Sequence, residues 1–283
     1  MTLWLFMLIV LGAAFTAGLV GSLVGIGGGI LIVPLLTTAF GIPITYAVGA
    51  SIVCTIATSS GAAVAYLRDH IINLRVAMFL ELATTIGAIS GAYLASIVNA
   101  SFLFVLFGIV MLISASSMIV KFGEELPQGV VNDSAANTLR LASSYNDRKL
   151  GHIAYQVTRV PVGFGIMYVA GALSALLGIG SGAFKVLAMD TAMRMPMKVS
   201  STTSNFMIGV TAAASAGIYL GRGEVNPLLV APVALGVLGG AMIGSRILPR
   251  LSNIGIRKLF TPILLLIAAQ MILKGLGVNV FGS

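Results

Sequence analysis

The sequence predicts an all-α polytopic membrane protein made of two inverted-topology repeats, each interrupted by a Gly-broken or re-entrant helix. Three observations predict it: the chain repeats itself, it is nearly free of charge, and its few cations gather on alternate loops. Hydrophobic residues make up 58% of the 283 residues and charged residues 8%, whereas a soluble domain carries roughly 25% charged residues. Mean hydropathy is +1.06. The net charge of +8 would suggest nucleic acid as a partner of a soluble chain. In a membrane chain, cytoplasmic loops account for it, so no nucleic-acid partner is expected. Cys54 is the single cysteine, which excludes an intramolecular disulfide and a Cys-based metal cluster.

The repeat is direct. Residues 17–52 and 170–205 align without a gap at an offset of 153 residues. Gly18, Gly25, Gly27, Gly29 and Pro43 fall on Gly171, Gly178, Gly180, Gly182 and Pro196. The register continues through Tyr66 and Tyr219, Asn73 and Asn226, Gly87 and Gly240, and Gly91 and Gly244. Each copy holds a glycine knot in an apolar stretch, GIGGG at 25–29 and GIGSG at 178–182. Paired, Gly-interrupted hydrophobic segments are the mark of a transporter built from two halves around a central site.

The first copy spans 1–120, a linker spans 121–160, and the second copy spans 161–283. The apolar runs are 2–24, 30–41, 44–66, 76–97 and 101–120, then 161–178, 183–193, 199–220, 227–248 and 259–273. Run 2–24 lacks the basic start of a signal peptide and reads as the first span. Runs of this length are helices, because helices satisfy their own backbone in lipid, and about 8–10 membrane segments are expected from about 20 residues per span. Runs 30–41 and 183–193 are too short to cross as straight helices and follow the glycine knots, so they either cross as broken helices or dip and return. The linker carries Glu124, Glu125, Asp133 and Asp147 and reads as a solvated connection with a surface helix around 134–150.

Loops 68–75, 121–160, 194–198 and 246–258 hold thirteen of the sixteen Lys and Arg residues. The opposite side holds Arg222 and Lys274, and Lys185 lies inside an apolar run. By the positive-inside rule the linker is cytoplasmic, both termini are outside, and the two copies have opposite orientation.

Gly27, Gly28, Gly29, Gly180, Ser181 and Gly182 would serve as a site if the knots break helices. The freed amides at the following helix start carry partial positive charge and hold anions. The alternative use of such small residues is close helix packing. Lys185, three residues past the second knot, would suit an anionic substrate. Otherwise it pairs with Asp190 or Glu81, or snorkels to the interface. Ser200, Ser201, Thr202, Thr203, Ser204 and Asn205 form a run of hydroxyls closed by an amide. They either bond neighbouring backbone or contact an oxyanion, with Ser204 and its repeat mate Ser51 the foremost candidates. Glu81 and Asp190 are candidates for proton coupling. Asp190 also stands four residues before Arg194, a helical pairing distance. Met193, Met195 and Met197 read as packing or lipid-facing residues. His70 and His152 fall in loops, and no nucleophile–base pair, metal cluster or dinucleotide unit is visible. The sequence therefore implies no enzyme, cofactor or metal. A channel-like or cation-handling protein is the rival class, and it would need more acids along its path.

GLVGSLVGIGGGILIVPLL with PITYAVGAS, and GALSALLGIGSGAFKVLAM with PMKVSSTTSNFMIG, resemble the paired signatures of the TauE/SafE family of membrane permeases. The resemblance covers both halves apart from the linker. It implies export of sulfite or a small organosulfonate across the inner membrane, by alternating access, with the lipid bilayer and a small anion as partners and self-association open. It carries the glycine knots onto Gly25, Gly27, Gly28, Gly29, Gly178, Gly180 and Gly182, and the small-residue positions onto Ser51 and Ser204. Pro34 of the first copy is replaced by Leu187 in the second, and Lys185 has no cationic mate, so the half-sites are expected to differ.

The orientation is open to a direct test. In a Cys54→Ser background, a cysteine at Ser143 should resist a membrane-impermeant maleimide in intact cells, and one at Thr2 should react. Labelling in the reverse sense would overturn the orientation.

Overall fold

A computed structural model of the chain describes residues 3–24, 29–68, 71–120, 129–147, 151–247 and 253–278. In the first copy, helix α1 (Leu3–Val24) precedes the short α2 (Gly29–Pro34), which runs into a π-helical turn at Leu35–Ala39. Helices α3 (Ile44–Arg68), α4 (Leu74–Ala95) and α5 (Ala100–Val120) follow. The linker contributes α6 (Ser134–Thr138) and strands β1 (Ser143–Asp147) and β2 (Gly151–Tyr155). The second copy consists of α7 (Val160–Leu177), α8 (Gly182–Leu187) with a π turn at Ala188–Ala192, α9 (Met197–Gly221), α10 (Pro227–Ile247) and α11 (Asn253–Gly275).

The fold is mostly helical. Among the described residues, three helices are long and apolar enough to cross a membrane on their own: Leu74–Ala95, Val160–Leu177 and Pro227–Gly244. The segments expected to be too short, 30–41 and 183–193, occur as Gly29–Ala39 and Gly182–Ala192, each a brief α-helix continued by a π turn. Helices α2, α3, α4 and α5, and the first π turn, begin 153 residues before α8, α9, α10, α11 and the second π turn. The π turn follows Leu187 as it follows Pro34, so proline does not cause it.

The main helix contacts join one copy to the other. α1 packs on α10, α4 on α7, α5 on α11, and α3 on α9. α4 also meets α9, and α3 meets α10. Exchanging the copies maps this set onto itself. Glycine makes the tightest of these contacts. A Cβ on Gly87 would collide with the Tyr168 carbonyl, and one on Gly171 with the Thr84 carbonyl, between α4 and α7. The repeat-equivalent collisions are Gly240 against the Phe15 carbonyl and Gly18 against the Val237 carbonyl, between α10 and α1. Small residues of this kind let membrane helices approach closely enough for dispersion forces to hold them.

The linker differs from the expected solvated connection. In place of a helix around 134–150, α6 ends at Thr138 and an antiparallel hairpin follows, pairing Ser143 with Tyr155 and Tyr145 with Ile153. Arg140 in the left-handed region stops the helix, and Ser-Ser-Tyr-Asn-Asp offers little helical preference. Leu141, Tyr145 and Val157 are buried against Val76, Leu80 and Met193 of the helical body. Asn73 caps α4 by accepting from the Val76 amide, and its own amide group donates to the Leu141 carbonyl at 2.8 Å and the Tyr155 hydroxyl at 2.9 Å. Burial pushes the Tyr155 phenol up to about 12, so it stays a neutral acceptor for Asn73. Asp133 caps α6 and also accepts from the Val160 amide at the start of α7. The linker is thus pinned to the starts of α4 and α7.

Gly171→Ala and Gly18→Ala should each destabilise the protein by about 1–3 kcal/mol through overpacking. Gly165→Ala, with nothing within 4 Å of its added methyl, should be neutral or mildly stabilising. Thermal midpoints in detergent check this; equal midpoints for all three would show that the crossings can yield.

Candidate functional site

The second glycine knot separates α7 from α8. α7 ends at Leu177, Gly178 caps it in the left-handed region at φ +66°, and Gly180 (φ +70°) and Ser181 (φ +46°) lead into α8. Ser181 stands at the N-cap of α8 and its side chain makes no capping bond. In the first knot, Gly25, Gly27 and Gly28 lie outside the described residues, and Gly29 opens α2 fully buried.

The two knots meet. Ser51, buried on α3, has its hydroxyl 2.6 Å from the Gly178 carbonyl and 3.1 Å from the Gly29 carbonyl. A Cβ on Gly29 would lie 2.5 Å from the Thr55 hydroxyl oxygen and 2.7 Å from the Gly178 carbonyl oxygen. A Cβ on Gly180 would lie 2.8 Å from Ile208 and 3.0 Å from the Thr55 methyl. Thr55 and Ile208 are repeat mates, so the crossing of α3 and α9 holds the paired positions at the junction. Gly29 and Gly180 therefore permit close approach, and a side chain at either would separate the segments. Ser204 donates to the Gly182 carbonyl at 3.1 Å, repeating the Ser51 to Gly29 bond at the same spacing. Both serines bond backbone in this arrangement.

Two buried hydroxyls here lack a hydrogen-bond partner, Thr55 Oγ1 and Ser181 Oγ. Partnerless polar atoms in a protein interior are costly.

Lys185 is fully buried in α8, and its ammonium donates to the Thr211 hydroxyl of α9 at 2.5 Å. Thr211 Oγ1 lies 2.6 Å from Glu81 Oε1 of α4 and 2.9 Å from the Met207 carbonyl of its own helix. Thr211 thus accepts from the cation and donates to the carboxylate. Glu81 Oε2 is buried without a hydrogen-bond partner. Thr211 stands three residues past Ile208, roughly 4.5 Å along the helix axis from the contact with Gly180.

The remaining candidates lie apart from this centre. Thr202 bonds back to the Lys198 and Val199 carbonyls. Thr203 accepts from the Asn73 amide at 3.2 Å, tying α9 to the start of α4. The Asn205 backbone carbonyl accepts from Ser59. Asp190 lies in the π turn that closes α8; the turn ends at Ala192, and exposed Arg194 sits beyond it at φ +53°. Met193 and Met195 are fully buried packing residues.

Sequence reading missed Thr55 and Thr211. A signal existed for both: Ser51, Thr55 and Ser59 recur every four residues, and Thr211 follows Ser204 by seven, so each set shares a helix face.

The family model described as Sulfite exporter TauE/SafE matches residues 10–271. The chain is 29% identical to a protein named Probable membrane transporter protein YunE, of Bacillus subtilis (strain 168), over 95% of this chain and 97% of that one. It is 27% identical to Probable membrane transporter protein YdhB of the same organism, over 85% of this chain and 89% of the relative. It is 26% identical to Probable membrane transporter protein ORF9 of a Sinorhizobium species, over 83% of this chain and 80% of that one. These matches take in both copies and the junction between them. No solved structure matches.

Ser51→Ala should loosen the junction by removing the hydroxyl that joins Gly29 to Gly178, at a cost of about 1–3 kcal/mol for a buried carbonyl left unpaired. Thr202→Ala should leave stability within about 0.5 kcal/mol. Unfolding midpoints that rank the two in the opposite order would contradict the assigned bonds.

Proposed function

The chain belongs to the sulfite exporter TauE/SafE family of membrane transporters, and from that premise we propose that it exports a small sulfur oxyanion, sulfite or an organosulfonate. The substrate would lie where the two knots meet. The observation that carries this reading is the buried Lys185 ammonium, one helical turn from a junction with two partnerless hydroxyls. A cation enclosed within a membrane body is costly and faces a functional cavity or partner. Thr55 Oγ1 and Ser181 Oγ add donors for sulfonyl oxygens. Gly29 and Gly180 let the segments approach closely, while Ser51 and Ser204 bond the first carbonyls of the short helices.

In this reading the copies are inverted about a two-fold axis in the membrane plane. The exchange symmetry of the helix contacts supports a two-fold, and the cation bias between loops supports its direction. The linker is then cytoplasmic. Because each copy packs mainly on the other, the bodies that rock during alternating access are cross-copy groups, one built around α1 with α10 and one around α4 with α7.

Sulfite and methanesulfonate flux in proteoliposomes tests the reading. Wild-type protein should transport one or both, and Lys185→Ala should lower flux at least tenfold, equivalent to about 1.4 kcal/mol of lost interaction. Full flux in a folded Lys185→Ala variant would remove the lysine from the site. No flux of either anion by the wild type would remove the substrate class.

A further inference from the structure

Glu81, Thr211 and Lys185 form a chain of contacts across three helices, and its composition constrains what else can enter. α4 packs on α7 and α9. Within its span α7 carries one titratable side chain, Tyr168, whose hydroxyl bonds Ser90. α9 carries Lys198 in its first turn and Tyr219 near its end, the latter donating to the Ala175 carbonyl. α8, seated on α7 and α9, carries Lys185, and Asp190 lies in the π turn beyond it. α4 itself carries Arg75 in its first turn, Glu81, and Tyr93 near its end. The carboxylate of Glu81 and the ammonium of Lys185 are therefore the two charges joined through Thr211, and they cancel.

A cancelled pair leaves no surplus positive charge for a substrate. An anion that settles beside Lys185 while Glu81 remains ionised places one uncompensated negative charge in a low-dielectric interior, which is strongly unfavourable. Taking up one proton at Glu81 restores the balance. The carboxylate is arranged for it: Oε1 is engaged by Thr211, and Oε2 is buried without a hydrogen-bond partner. A proton on Oε2 would also turn that oxygen into a donor.

We propose that Glu81 is the proton-coupling site of this transporter, and that each monovalent anion bound beside Lys185 is accompanied by one proton taken up on Glu81. Thr211 is the positioning residue, holding carboxylate and ammonium to one hydroxyl. The inference rests on the anion reading of Lys185 given above. The proton comes from bulk water and leaves with the anion, so the cargo moves as a neutral set.

Calorimetric titration of the purified full-length protein with methanesulfonate, which carries one negative charge across the working pH range, tests this. The titration is run at several pH values, at each in buffers of different ionisation enthalpy, and the slope of apparent enthalpy counts protons. Wild type should take up about one proton per anion, and its affinity should fall by about tenfold per pH unit where Glu81 starts ionised. Glu81→Gln, titrated at a pH low enough to keep Lys185 charged, should bind with about zero proton uptake. Thr211→Val should bind more weakly yet keep the uptake. Wild-type binding without proton uptake overturns the coupling while leaving the anion site standing. Uptake that persists in Glu81→Gln overturns the assignment to this residue. Absence of wild-type binding of both methanesulfonate and sulfite overturns the anion reading and the coupling with it. If Glu81→Gln does not fold, Glu81→Asp replaces it, and a proton uptake whose pH range does not move with the shorter acid overturns the assignment to Glu81.

Discussion

Helices in lipid gain little by hiding apolar side chains from one another, because the acyl chains are as apolar as leucine. What draws α4 onto α7 and α1 onto α10 is the close approach of backbones that Gly87, Gly171, Gly240 and Gly18 permit. The central junction depends on those crossings. Once the outer pairs are set, α3 and α9 are held against each other in the middle, and the two knots are brought to a common point. Ser51 then reaches both of them. A methyl group at one crossing would push a helix outward and with it the frame that carries the junction.

The copies share a backbone and differ in chemistry. Ser51 and Ser204 make the same bond to the first carbonyl of the following short helix. Both short helices end in a π turn, an irregularity that recurs at functional sites in other helices. The repeat mates of Lys185 and Glu81 are Ile32 and Ala234, whereas Thr211 has Thr58 as its mate. The scaffold was kept in duplicate, while each charge occurs in one copy only, Glu81 in the first and Lys185 in the second. A symmetric pair of lysines would have put two like charges near one centre, where each raises the cost of the other.

Much of the scaffold was legible in the sequence. Lipid demands long uninterrupted apolar runs, so the boundaries of α1, α3, α4, α5, α9 and α10 fall close to the edges of those runs. The offset of 153 residues gave a second, independent reading of each boundary. Gly18, Gly87, Gly171 and Gly240 were visible as register marks, but their pairing across the copies was not, because spacing along one chain does not say which helix lies beside which. The linker was misread for a related reason: it is polar in composition, yet Leu141, Tyr145 and Val157 find cover only against residues far away in sequence. The hydroxyl run from Ser200 to Ser204 looked like one feature and divides into several, because on a helix adjacent residues face different neighbours. The triad was half legible. Glu81 was named as a partner for Lys185, and the threonine that joins them was not.

The interlocked helix pairs also bear on how the chain is made. During synthesis α1 emerges long before α10, and α4 before α7, so the close-packing faces of the first copy meet lipid until the second copy has been inserted. Neither half can complete its own interior. Long-range pairing of this kind delays the final packing until nearly the whole chain is in the bilayer. The glycine faces that fit helix to helix are thus also the faces left waiting, and the membrane must hold a half-built protein whose partners have not yet arrived.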